Sequence, residues 1–152
     1  LKDKFPKLHV LMLGDINEPY YDEVCANIKK YNLEKYIKIK SKMTKTDWIR
    51  ISKNYSIMIS NPSIDNTPIS LIEGMALGMC IVSTKVGGVS YLISEEESIL
   101  VENNDSLGMA DAIESLLLDP QKANAISLSA RKKAELFTWP AVKSAWQKIL
   151  IG

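Results

Sequence analysis

Along this chain, short continuous apolar runs alternate with stretches in which apolar residues recur every three or four positions. The run at residues 8–13, Leu-His-Val-Leu-Met-Leu, stops at Gly14 and Asp15, the pattern of a strand buried on both faces. Residues 21–31 place Val24, Ile28 and Tyr31 at helical spacing around Lys29 and Lys30. Residues 36–40 change to strict alternation, Ile37 and Ile39 against Lys38 and Lys40, as in a half-exposed edge strand. Thr44 and Asp47 stand at capping-box spacing. Their hydroxyl and carboxylate can satisfy exposed backbone donors and open a short helix through Trp48, Ile49 and Ile51.

A second set of elements follows. Residues 56–60 form an apolar run, residues 61–66 a polar loop, and Thr67-Pro68 a helix start, with threonine as the cap and proline in the first helical position. The helix is expected over residues 68–77, closed by Gly78, with Ile69, Ile72, Met75 and Ala76 as its apolar stripe and Ser70, Glu73 and Leu77 on a neighbouring face. Residues 80–84 are the next strand, Gly87-Gly88 a turn, and residues 98–101 another strand. Helices are expected from Asp105 or Ser106 to Leu118, over 121–136 after a break at Asp119-Pro120, and over 139–151. Strands alternating with helices predict an α/β fold, a doubly wound, Rossmann-like parallel sheet with a helical carboxyl-terminal end. Ligands of such sheets sit outside the carboxyl ends of the strands, which singles out the loops 14–20, 61–67 and 85–90.

Composition narrows the function classes. With 152 residues, 46% of them hydrophobic, one domain with a real core is expected. The 19 basic and 18 acidic side chains nearly cancel, so no overall positive field points to nucleic acid. Cys25 and Cys80 lie far apart in apolar surroundings, which suits free thiols in a reducing, cytoplasmic setting. No apolar run approaches the roughly 18 residues of a membrane span; contact with the inner face of a membrane stays open. The lone histidine, His9, begins a buried-type strand and reads as structural, so a Ser-His-Asp or Cys-His arrangement has no support. No His/Cys cluster has metal-ligand spacing, and no cofactor or metal is expected. Glu95-Glu96-Glu97 reads as a solvated acidic turn, and Trp48, Trp139 and Trp146 as packing residues.

The richest stretch for chemistry is residues 61–78. A helix amino terminus offers free backbone N–H groups to a diphosphate or a sugar hydroxyl. Glu73, five residues beyond Pro68, is too deep to cap; its spacing is compatible both with a solvated helix glutamate and with an acceptor for the vicinal hydroxyls of a ribose. Gly87-Gly88 alone reads as an ordinary tight turn before it reads as a phosphate loop.

From Asp65 to Gly88 the chain resembles glycosyltransferase family 4, the group 1 retaining enzymes of the two-domain GT-B type. The family pattern is an acid, seven residues, a glutamate, a helix ending in Ala-x-Gly, a strand and a Gly-Gly turn. Asp65, Glu73, Ala76-Leu77-Gly78, residues 81–83 and Gly87-Gly88 match it in order. The resemblance implies that Glu73 binds the nucleotide ribose. It also implies that Asp65, Asn66, Thr67, Pro68, Ile69 and Ser70 face the donor sugar and phosphates, with Gly14, Gly87 and Gly88 completing the nucleotide site. Asp65 and Glu73 become the catalytic candidates, and the expected fold the carboxyl-terminal half of GT-B. Two positions depart from the pattern: Asp65 is one methylene shorter than the usual glutamate, and Cys80 stands where proline is common.

The family's domain also begins with a strand, an arginine-bearing turn and a lysine helix that neutralise the diphosphate, and these precede anything in this chain. Residues 1–152 are therefore expected to be one nucleotide-sugar-binding domain truncated on its amino-terminal side, inactive alone, its acceptor bound by a missing amino-terminal domain. An incomplete sheet edge would favour self-association. The implied activity is transfer of a sugar from a UDP- or GDP-linked donor to a glycan, lipid-linked or polysaccharide acceptor. A non-catalytic nucleotide-binding or interaction module of the same fold and half of a nucleotide-sugar epimerase are the alternatives.

Overall fold

The alternation of apolar runs and helical spacing becomes parallel strands separated by helices in a computed structural model that describes residues 1–16 and 19–151. Asn17 and Glu18 of the 14–20 loop lie outside the described residues, as does Gly152 at the chain end. The chain divides into two units, Leu1–Arg50 and Ile51–Gly152.

In the first unit, β1 (Val10–Leu13) pairs in parallel with β2 (Ile37–Lys40), Val10 opposite Ile37, and α1 (Tyr21–Lys30) connects them. Lys38 and Lys40 are exposed while Ile37 and Ile39 are half-buried, the expected alternation. The expectation for β1 is corrected: Met12 and Leu13 are 37% and 41% exposed. Tyr36 is the one buried residue described in this unit, so nothing like two covering layers flanks the strand. His9 precedes β1 and is exposed. At the start of α2 (Lys45–Ser52) the Asp47 amide donates to Thr44 Oγ1 at 3.1 Å and the Thr44 hydroxyl donates to Asp47 Oδ2 at 2.8 Å. Arg50 closes on the other carboxylate oxygen at 2.7 Å, so this cap is a side-chain cluster at the helix mouth.

In the second unit, β3 (Ile57–Ser60), β4 (Cys80–Thr84) and β5 (Ser98–Val101) form a parallel sheet in the order β3-β4-β5. Every residue of the central strand β4 is buried. The core gathers Leu71, Met75, Ile81, Val89, Leu92, Ile93, Ala130 and Ala134 from the sheet and from α3 (Ile69–Ala76), α4 (Val89–Leu92) and α6 (Pro120–Ala134). Burying each of its larger aliphatic side chains is worth about 1.5–3 kcal/mol. The Cys80 thiol, pushed above its ordinary range by burial, donates to the Ala123 carbonyl at 3.1 Å. Both cysteines are free.

The buried face of α3 is Leu71, Gly74 and Met75, not the expected stripe, since Ile69 and Ala76 are exposed. Gly74 explains the difference: a Cβ there would run into Met58 of β3 and lie 3.1 Å from Ile81 of β4. The helix therefore meets the sheet through a residue that an apolar count leaves out. A Schellman motif ends α3, the Met79 amide donating to the Gly74 carbonyl and the Gly78 amide to the Met75 carbonyl, with Gly78 at φ +76°. Ser127 of α6 donates to the Gly78 carbonyl at 2.7 Å and the Arg131 guanidinium to the Ala76 carbonyl, a cation at the negative end of the helix dipole.

Asp105 caps α5 (Ser106–Leu118) through the Gly108 amide at 2.8 Å. Asp119 caps α6 through the Gln121 and Lys122 amides, with Pro120 in the first turn, so that helix begins one residue earlier than expected. No residue of α7 (Trp139–Ile151) is buried. Trp139 and Trp146 are accordingly 63% and 50% exposed and lie outside the core, whereas Trp48 is half-buried.

Glu97 is likewise not a solvated acid but 7% exposed. Its Oε2 accepts from the Ser94 amide at 2.8 Å, the Ser94 hydroxyl at 2.7 Å and the Lys133 ammonium at 3.2 Å. Burial pushes this carboxyl up, but the Ser94 bonds and Lys133 outweigh it and hold it below the ordinary 4.5. Because the folded value is depressed, the stability from Glu97 is complete above pH 4.5 and disappears as the pH falls through the folded value. Glu97→Gln is expected to cost roughly 1–3 kcal/mol at pH 7, with the deficit shrinking in acid. Urea unfolding of both proteins at neutral and acidic pH measures this; a deficit that does not change with pH would contradict it.

Candidate functional site

The loop between β3 and α3 leaves the sheet at a carboxyl end and passes the segment that leaves β4 at its own. Two hydrogen bonds pin it there. Thr84 Oγ1, at the last residue of β4, donates to the Pro62 carbonyl at 2.7 Å, and the Gly88 amide donates to the Asp65 carbonyl at 2.9 Å. Gly87 has φ +47°, a region that favours glycine. A Cβ on Gly87 would overlap the Asp65 carbonyl, and one on Gly88 the Asn66 carbonyl. The two glycines let two backbones touch, which the tight-turn and phosphate-loop readings both left unstated.

The start of α3 follows two residues after this contact. Pro68 is buried and holds ψ at 103°, so it is the cap position and Ile69 the first helical residue, with no side-chain cap bond. Thr67 is thus one residue too early to cap, against the sequence expectation. The same Xaa-Pro signal succeeds at Asp119-Pro120, where the Asp119 carboxylate accepts from the Gln121 and Lys122 amides.

Beside the contact lies an open recess of about 220 Å³ lined by Asn66, Thr67, Gly88, Tyr91 and Leu92. Three expected site residues, Asn66, Thr67 and Gly88, meet there. Asp65 is half-buried behind them through its backbone bond, Ile69 and Ser70 are exposed on the first turn of α3, and Glu73 is half-buried one turn further on. Gly14 lies in the first unit, where its amide donates to the Lys40 carbonyl at 3.1 Å. Tyr91 and Leu92 were not expected. Val89 and Leu92 are spaced three apart and both buried, and that spacing after Gly88 is the signal that turns Tyr91 outward. Among the described residues no three His, Cys, Asp or Glu side chains converge to hold a metal, and no helix is long and apolar enough to cross a membrane.

The model of the family described as glycosyl transferases group 1 matches residues 1–133. The chain belongs to this family. D-inositol 3-phosphate glycosyltransferase of Saccharomonospora viridis is 33% identical over 69 residues, 45% of this chain and 16% of that protein. Sucrose-phosphate synthase of Spinacia oleracea is 30% identical over 90 residues, 59% of this chain and 8% of that protein. Both relatives are thus far longer than the part this chain spans. HepE of Anabaena, solved in complex with UDP, superposes with a TM-score of 0.87 at 20% identity, covering 95% of this chain and 41% of its own. That likeness establishes the parallel α/β fold expected for a group 1 glycosyltransferase domain.

Gly88→Ala is expected to push the Asn66 backbone away and destabilise the protein by about 1–3 kcal/mol, the range for forced overpacking. Ser90→Ala, at an exposed neighbouring position, is expected to change stability by under about 0.5 kcal/mol. Chemical denaturation compares the two; equal midpoints would mean that the loops separate at no cost.

Proposed function

We propose that the chain is the donor-binding part of a retaining glycosyltransferase that moves a sugar from a UDP- or GDP-linked donor to a glycan, lipid-linked or polysaccharide acceptor. The observation that carries the reading is the recess of Asn66, Thr67 and Gly88 at the carboxyl ends of β3 and β4, the place where parallel sheets bind ligands, in a chain of this family. The UDP and UDP-glucose complexes of HepE support a nucleotide-sugar ligand. The family model runs through both units, which supports treating them as parts of one nucleotide-sugar domain. The acceptor is bound elsewhere in the longer protein.

In this reading Glu73 accepts the ribose hydroxyls and Asp65 faces the donor sugar. Asn66, Thr67, Pro68, Ile69 and Ser70 face the donor sugar and the phosphates with it, and Gly87 and Gly88 complete the nucleotide site. Backbone N–H groups aimed at the departing diphosphate stabilise the charge that develops there, and no metal takes part.

Titration calorimetry with UDP- and GDP-linked hexoses tests the assignment. Glu73→Ala is expected to weaken binding about 10- to 100-fold, the loss of hydrogen bonds to a charged acceptor, and EDTA is expected to leave the wild-type affinity unchanged. Equal affinity for wild type and Glu73→Ala removes Glu73 from the site; loss of binding in EDTA removes the metal-free mechanism.

A further inference from the structure

We infer that Tyr91 is the platform for the hexose ring of the donor, stacked over the recess, and so a residue that sets preference for the sugar over the bare nucleotide; this rests on the function proposed above. Three observations lead to it. The first is exposure: α4 turns Val89 and Leu92 into the core, at 0% and 5%, and leaves the Tyr91 ring 92% exposed on the recess wall. An aromatic ring carries a large apolar area and an electron-rich face, and its own chain covers almost none of it.

Size is the second. Pockets that enclose a whole ligand run to roughly 300–1,000 Å³, whereas this recess measures about 220 Å³, room for one ring of a nucleotide sugar and not for the molecule. Lining chemistry is the third. Asn66 brings an amide, Thr67 a hydroxyl and Gly88 backbone, and no charged side chain lines the space. A pyranose has one face of C–H groups and a rim of hydroxyls. The face matches a single aromatic wall and the rim matches an amide and a hydroxyl. A diphosphate would find no cation there and no free amide at Gly88, which donates to the Asp65 carbonyl, and a nucleobase, apolar on both faces, would find an aromatic partner on one side only.

The test uses the intact protein and its Tyr91→Ala and Tyr91→Phe variants, titrated with UDP-glucose, UDP-N-acetylglucosamine and GDP-mannose and with UDP and GDP alone. Tyr91 packs against little, so its replacement leaves the fold in place. Tyr91→Ala is expected to weaken the preferred sugar nucleotide about 3- to 10-fold, the worth of one aromatic contact, with the bare nucleotide unchanged. Tyr91→Phe, which keeps the ring face, is expected to stay within about 2-fold of wild type. An unchanged ratio of sugar-nucleotide to nucleotide affinity in Tyr91→Ala overturns the inference, and so does an equal loss for both, which would put the ring on the nucleotide. Wild-type protein that binds none of the five ligands overturns the donor-binding reading and this inference with it.

Discussion

The contact between the backbone at Asp65 and Asn66 and the backbone at Gly87 and Gly88 is the constraint on which the rest of the site depends. A methyl group fits at neither glycine, and at Gly87 the φ of +47° is also one that L-residues disfavour. Two loops from neighbouring parallel strands are thereby held as one surface, with Thr84 and Pro62 tying their bases together. The recess lies beside the place where the loops meet. Its polar lining comes from the first loop and its aromatic wall from the second.

The helix behind the site is located by a different device. Gly74 allows α3 to sit against Met58 and Ile81, while α6 grips its far end through Ser127 and Arg131. Core burial of Leu71 and Met75 supplies the attraction, and the polar bonds from α6 fix the rotation and the axial position. Glu73, between Gly74 and the exposed side of the helix, takes its direction from these contacts. Glu97 and Lys133 join the turn before β5 to the same helix α6, so α6 braces both the site helix and the sheet edge. Substitutions in α6, although remote from the recess, are therefore coupled to it through packed neighbours.

Much of the local structure was legible from residue order. Strand and helix succession, the alternation of β2, the Asp119-Pro120 start of α6 and the glycine stop at Gly78 all rest on interactions between residues close in sequence, and these are what periodicity and capping patterns encode. The family pattern from Asp65 to Gly88 was legible as well, and with it the stretch in which Asn66, Thr67 and Gly88 meet. Patterns failed where a distant segment changed the local choice. Thr67-Pro68 reads as a cap and first turn, yet Pro68 is buried and extended and the helix starts at Ile69. An apolar count selects Ile69 and Ala76 as the inner face of α3, yet a glycine that fits the sheet turns the helix another way.

By itself, then, the sequence determined the parallel α/β class, the order of elements and the family, because hydrophobic period and short-range capping are properties of neighbouring residues. Tertiary structure alone decided which face of α3 is buried, that Glu97 is an ion-paired internal acid, that Trp139 and Trp146 lie outside the core of this chain, and that Tyr91 lines one recess with Asn66 and Thr67. Each of those depends on what approaches from tens of residues away, and burial, desolvation and close backbone contact are set by that approach and not by the residue's own neighbours in the chain.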